Sequence, residues 1–296
     1  MKQLLILSGK GGTGKTTIAS AFIKLANAKA YADCDVDAPN LHLIMNQKSD
    51  ARITDYFGMS KAAIDSSSCT RCGLCQSNCR FEAIKFSKEN GYSIDAYACE
   101  GCGVCEAICP ARAVTLKASI AGELRLYLND IIFSTAQLKM GSGTSGKLVT
   151  EVKNQLKESP ANIDLAIIDG SPGIGCPVIA SLSGIDMVLI VAEPSISGIS
   201  DMERIISTAD KFKLRTAVCI NKYNTNLQNT EHIIKYCQRY HIPFTGRIPY
   251  DTKAVEAING GYSIVDIDCS SGEAAKSVYK KTMSLLFDCL GEKNVN

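Results

Sequence analysis

The sequence lacks a marked excess of either charge: 32 basic and 30 acidic residues leave a net charge of +2 across 296 residues. So even a balance argues against nucleic acid as the main partner and leaves no acidic tail. No apolar run reaches transmembrane length, so no membrane partner is expected. The opening stretch MKQLLILSG is too short and wrongly flanked for a signal peptide and reads as a buried first strand; the expected location is the cytoplasm. The abundant residue is cysteine. There are fourteen, eight of them between Cys69 and Cys109 in two tight runs. In a small secreted protein this count would suggest disulfides; here the clustering and the absent export signal point to metal ligation in a reducing compartment. The other six, Cys34, Cys176, Cys219, Cys237, Cys269 and Cys289, are scattered and read by default as small buried hydrophobes.

At 46% hydrophobic residues the chain can build one large core plus a small satellite domain. Apolar runs that end in polar or turn residues recur at 2–8, 30–33, 164–170, 187–194, 216–222 and 243–249. Helical patterns lie between several of them, from Thr16 onward, over 199–211 and over 230–240. Continuous apolar strands alternating with helices predict an α/β fold with a mostly parallel sheet covered on both faces. Residues 61–117 interrupt this pattern with an internal repeat, in which Cys69, Cys72, Cys75 and Cys79 recur thirty positions later as Cys99, Cys102, Cys105 and Cys109 (99 − 69 = 30). Each copy is too poor in apolar residues to fold alone. The expected organisation is therefore 1–60 and 118–296 as one α/β domain, with 61–117 inserted. A hairpin is expected around Asn129–Asp130, and GSGTSG at 141–146 reads as a flexible loop.

GKGGTGKT, residues 9–16, fits G-x-x-x-x-G-K-[ST] between a strand and a helix. In this motif backbone N–H groups at Gly11, Gly12, Thr13 and Gly14, with Thr17 following, turn onto phosphates at a helix N-terminus. Lys15 pairs with the β- and γ-phosphates and Thr16 ligates Mg²⁺. The extra lysine, Lys10, resembles the deviant Walker A motif of the MinD/ParA/Mrp and nitrogenase-iron-protein family of P-loop ATPases. DCDVDAPNL (33–41) resembles that family's switch I and IIDGSPGIG (167–175) its switch II, with Ser171 where the family usually has proline. INK (220–222) is similar to its adenine-recognition element. The resemblance implies that Asp35 orients Mg²⁺ and attacking water, that Asp169 holds the metal through water, and that Asn221 recognises adenine. It also implies a homodimer in which Lys10 reaches the partner's nucleotide, as an arginine finger does elsewhere.

C-x2-C-x2-C-x3-C, twice, resembles the runs of two-cluster bacterial ferredoxins, in which the fourth cysteine of each run serves the other cluster. The resemblance implies two [4Fe–4S] clusters, held by Cys69, Cys72, Cys75 with Cys109 and by Cys99, Cys102, Cys105 with Cys79, in a small α+β ferredoxin-like insertion. Zinc is the alternative, but it favours two C-x2-C pairs with a longer spacer. The second run ends in Pro110, while the first has Arg80 there. Together the motifs resemble MinD-superfamily P-loop ATPases with an inserted ferredoxin domain. The function implied is ATP binding and hydrolysis (ATP and Mg²⁺) coupled to electron transfer toward a redox partner protein. The clusters could instead be purely structural. The alternative function is an ATP-dependent iron–sulfur carrier serving apo-protein clients, for which Cys176 is the only extra ligand candidate; its default reading remains a buried cysteine beside Pro177. A third reading, a MinD- or ParA-like positioning protein, requires a C-terminal membrane helix or a basic face. Residues 273–290 are amphipathic and read as a terminal helix packed on the sheet.

Overall fold

A computed structural model describes residues 1–47, 50–158 and 163–288. It divides into two compact units: Met1–Arg52, Arg125–Ala136 and Gly146–Asn296 form the first, Ile53–Leu124 and Gln137–Ser145 the second. In chain order the elements begin β1 (Lys2–Leu7), α1 (Lys15–Ala26), β2 (Ala30–Asp33), α2 (Leu41–Met45), β3 (Arg52–Phe57) and β4 (Lys61–Ile64). Next come α3 (Leu74–Ser77), β5 (Ile84–Ser87), β6 (Gly91–Ile94), α4 (Val104–Ala107), β7 (Val114–Lys117), β8 (Ile120–Leu128) and β9 (Ile132–Leu138). The remainder is α5 (Ser145–Gln155), β10 (Leu165–Asp169), α6 (Cys176–Leu182), β11 (Met187–Ala192), α7 (Ile196–Lys211), β12 (Arg215–Asn221), α8 (Leu227–Arg239), β13 (Phe244–Ile248), α9 (Thr252–Asn259) and α10 (Ser270–Phe287).

In the first unit the strand order is β13-β12-β11-β1-β10-β2-β9-β8, and every printed pairing from β13 through β9 is parallel. The mostly parallel α/β sheet expected from the apolar runs is therefore present. The central strands are apolar along their length because both faces are covered; all six residues of β11 are buried. One face packs α1 and α10 through Ile18, Phe22, Ala275 and Val278, with Phe22 edge-on to Tyr279 at 5.2 Å. Near β9, Tyr31 and Tyr127 stack on Phe133 at 4.8 and 5.2 Å. β8 and β9 are joined by a tight turn at residues 129–131, where the hairpin was expected. Helix α10 covers 270–287, and the end of the amphipathic 273–290 segment, like Cys289, lies outside the described residues.

The second unit is wider than the 61–117 segment. It adds β3, the first part of β8 and residues 137–145, because β3 lies beside β8 and Gly122 packs on the backbone of Gln137. Inside it, β4 begins at Lys61 and β7 ends at Lys117. β4 pairs antiparallel with β7, and β5 with β6. Its buried hydrophobic cluster is small: Ala62, Cys75, Ala83, Ile84, Cys99 and Val114.

Candidate functional site

The strand-to-helix turn of the first unit is built by residues 8–14. Gly12 (φ 78°) and Gly14 (φ 90°) occupy the left-handed region that a side chain would strain. A Cβ on Gly14 would also stand 2.2 Å from Asn221 Nδ2. That amide donates to Thr13 O at 2.7 Å, so Asn221 braces the loop from the end of β12. Lys222, next in the chain, donates to Gly12 O at 2.7 Å. Lys15 starts α1 and is buried, with Nζ 2.5 Å from Asp169 Oδ1 at the end of β10; Thr16 Oγ1 donates to Asp169 Oδ2 at 2.7 Å.

Three carboxylates surround this lysine. Asp33, fully buried at the end of β2, accepts the backbone N–H groups of Asp35, Asn40 and Leu41, each at 3.0 Å, and so folds the turn that follows. Burial, and then the nearby Asp169, push the Asp33 carboxyl up to about 7 against the pull of Lys15. Burial also raises Asp35, with Lys15 opposing. For Lys15 burial works toward discharge, but Asp169, Asp33 and Asp35 outweigh it and hold its pKa above the ordinary lysine value. Carboxylates outnumber cations here, and oxygen donors in that excess suit a hard divalent cation.

A cavity of about 1130 Å³ opens over the turn. Lys10, Gly11, Gly12, Thr13, Gly14, Lys15, Thr16, Thr17, Asp35 and Asn221 all line it; Asp169 lies behind Lys15 and does not. Its lining also includes the apolar Ile248, Ala254 and Ile264 together with Asp251 and Asn259. Thr13 Oγ1 is buried there without a hydrogen-bond partner, which a phosphate oxygen would supply. Lys10 turns toward its own subunit, 2.9 Å from Glu193. Ser171 donates its hydroxyl to Cys34 O and so ties the segment after β10 to the segment after β2. Sequence reasoning missed Asp33, Glu193 and Lys222. Asp33 had a signal as the first acid of DCDVD at a strand end, and Lys222 as the last residue of INK; Glu193 had none beyond charge at a strand terminus. Cys176 is exposed at the start of α6, which corrects its reading as a buried cysteine: it follows the Gly173–Gly175 loop rather than entering the core. Cys34, Cys219, Cys237 and Cys269 are buried as expected.

In the second unit the eight clustered thiols fall into two cavities. One is lined by Cys69, Cys72, Cys75 and Cys109, the other by Cys79, Cys99, Cys102 and Cys105; each holds only about 20 Å³ of free space. The strand pairing explains the exchange. β4 leads into the first run and pairs with β7, which follows Cys109; β6 leads into the second run and pairs with β5, which follows Cys79. Each fourth cysteine is thereby delivered to the other run. The local geometry repeats too: Gly73 and Gly103, at φ 81° and 80°, open the four-residue helices α3 and α4. Backbone N–H groups of Ala62 and Ala113 point at Cys99 Sγ and Cys109 Sγ, at 3.5 and 3.3 Å. All eight thiols are free. Among the described residues no three His, Cys, Asp or Glu side chains converge on one metal ion. Four free thiols around each small apolar cavity, with amide donors aimed at two of the eight sulfurs, are a soft donor set of the kind that iron–sulfur clusters and zinc both take.

A parallel sheet carrying a glycine-rich turn, a buried lysine and strand-end aspartates defines a P-loop nucleotide-binding protein. The sequence family described as the CobQ/CobB/MinD/ParA nucleotide binding domain matches residues 4–264, and the chain belongs to this family, whose MinD and ParA members are ATPases. It is 32% identical over 284 residues to the uncharacterized protein MJ0578 of Methanocaldococcus jannaschii, covering 94% of this chain and 95% of that one. The iron-sulfur cluster carrier protein of the same organism is 20% identical over 302 residues, covering 94% and 83%. The fold is similar to that of the septum site-determining protein MinD of Pyrococcus horikoshii, solved with Mg-ADP: TM-score 0.58, 17% identity, 96% of each chain covered. Among the described residues no helix is long and apolar enough to cross a membrane.

Proposed function

We propose that this chain is an ATP-hydrolysing iron–sulfur protein, in which nucleotide state governs electron transfer through two [4Fe–4S] clusters carried by a ferredoxin-like insertion at 61–117. The observation that carries the reading is the crosswise sorting of eight free thiols into two four-cysteine cavities, in a chain that also holds a P-loop. Bound there, the clusters would supply one-electron transfer.

The remaining chemistry belongs to the chain's own side chains. Lys15 would exchange Asp169 for the β- and γ-phosphates, which frees Asp169 to hold Mg²⁺ through water while Thr16 ligates it directly. The Mg-ADP in the similar fold of Pyrococcus horikoshii MinD supports a magnesium–nucleotide occupant for this cavity. Asp35, its basicity raised by burial, would orient the attacking water. Asn221 would face adenine, and Lys10 would stabilise transferring charge on the partner's nucleotide in a homodimer. The turn shaped by Asp33 would follow the γ-phosphate, and the chain leaving it passes from Leu41 into the cysteine unit at Ile53.

Protein purified anaerobically should contain about eight irons and eight acid-labile sulfides per chain and should hydrolyse ATP. Zinc without sulfide would remove the electron-transfer reading. A second reading, an iron–sulfur carrier acting on apo-proteins, is favoured by the named carrier among the relatives and by the exposed thiol of Cys176. Transfer of iron and sulfide to an apo-ferredoxin, lost in Cys176→Ser, would select it.

A further inference from the structure

Lys10 Nζ rests on a pad supplied by its own subunit. It lies 2.9 Å from Glu193 Oε2 and donates to Ser195 Oγ at 3.2 Å and to Ser197 Oγ at 3.4 Å. The pad is the corner between β11 and α7. Glu193 follows the last residue of β11, and Ser195 caps α7 by accepting the Gly198 N–H at 3.1 Å. The loop carrying Lys10 is pressed onto the same helix: a Cβ on Gly9 would fall 2.0 Å from Asp201 Cβ. With its backbone fixed in this way, the Lys10 side chain chooses between lying on the pad and reaching outward. Glu193 also faces Lys222 at 3.7 Å, and Lys222 in turn holds Gly12 O. One carboxylate therefore holds the reach of Lys10 and, through Lys222, the phosphate-binding turn.

We infer that Glu193 is a positioning residue, which keeps the Lys10 ammonium on its own subunit until nucleotide and a second copy of the chain compete it away. The inference deepens the proposed hydrolysis and rests on the reading that Lys10 acts across a dimer. An arginine finger supplied in trans works only where the partner is present. A lysine supplied by a twin subunit gains the same dependence if its resting partner is intramolecular. Lys10 is about one-third exposed on the pad, so solvent screens the pair and the hold is weak enough to release.

The test has two readouts. Amine-reactive footprinting of nucleotide-free protein, referenced to the exposed Lys88, should show Lys10 acylation rising about two- to five-fold in Glu193→Gln and in Glu193→Ala. Light scattering should show half-maximal dimer at a non-hydrolysable ATP analogue concentration lower by a similar factor in Glu193→Gln. That gain should vanish when Lys10→Ala is combined with it, since the two residues act as a pair. Lys10 reactivity unchanged in both Glu193 variants overturns the inference. So does an equal gain with Lys10 already removed, which would place the action of Glu193 on Lys222 instead. If reactivity rises as expected but no variant, nor the parent, dimerises with nucleotide, the intramolecular hold stands and the dimer reading is what fails.

Discussion

Lys15→Ala should do more than abolish nucleotide binding: it should destabilise the nucleotide-free protein. Asp169 and Asp33 have no solvent exposure, and Lys15 is the cation 2.5 Å from the first. Removing it leaves at least one buried carboxylate without a counter-charge. Breaking a buried pair from one side costs about 3–5 kcal/mol. Part of that is recovered by protonation, because Asp33 is already pushed up to about 7 and a missing Lys15 raises it further. The expected loss at pH 8 is therefore about 3 kcal/mol, or roughly 6–12 °C in melting temperature for a chain of this size. It should shrink toward pH 6, where the acids take up protons; folded-state carboxyls with raised pKa destabilise most once ionised. Adding Asp169→Asn to Lys15→Ala should return much of the stability. Urea unfolding of anaerobic, nucleotide-free protein at both pH values measures this. A Lys15→Ala protein as stable as its parent at pH 8 would show that these acids carry no buried charge, and the electrostatic account of the site would fail.

Cysteine pairs separate crosswise from same-run ligation. Cys69→Ser with Cys109→Ser alters one cavity and should leave about four irons, whereas Cys69→Ser with Cys79→Ser alters both and should leave almost none; iron analysis with electron paramagnetic resonance decides. Lys153 donates to the carbonyls of Ala180, Ser181 and Ser183 at the end of α6, and burial lowers its pKa to about 8. Between pH 8 and about 10.5 the unfolded chain keeps a proton that the native one has released, so native stability gains from this group as pH rises. The stability deficit of Lys153→Met against the parent should therefore widen across that window in chemical unfolding; a constant difference would refute the shift. Ser171→Ala removes the hydroxyl link to Cys34 O and should lower ATP turnover several-fold with little change in stability, about 1 kcal/mol for one hydrogen bond. Unchanged turnover would show that this link is incidental.

The parts legible in the sequence are those fixed by local spacing. The strand–glycine–helix pattern placed the glycine-rich turn, and the apolar runs marked strands that lie within a parallel sheet. Thiol sorting was legible through resemblance, and β4–β7 and β5–β6 pairing supplies a physical cause for it. What escaped depends on contacts between residues far apart in the chain. Lys10 and Glu193 are 183 positions apart (193 − 10 = 183), and only the parallel neighbours β1 and β11 bring them together. Of the three aspartates in DCDVD the resemblance singled out Asp35; burial at the end of β2 shows that Asp33 is the one that shapes the turn. Cys176 looked buried because its neighbours are apolar, yet the first turn of α6 leaves its thiol in solvent. The second unit also outgrew its cysteine segment because β3 and β8, distant in sequence, pair through their backbones.

The central claim is that nucleotide state governs electron release from the proposed clusters. The direct test is stopped-flow oxidation of anaerobic, dithionite-reduced protein by an oxidised viologen, with ATP, with ADP and without nucleotide. A coupling of about 1–3 kcal/mol, if expressed in the rate-limiting barrier, predicts a rate with ATP that differs from the nucleotide-free rate by roughly 5- to 150-fold, and the difference should disappear in Lys15→Ala. Equal rates in all three nucleotide states would contradict the account.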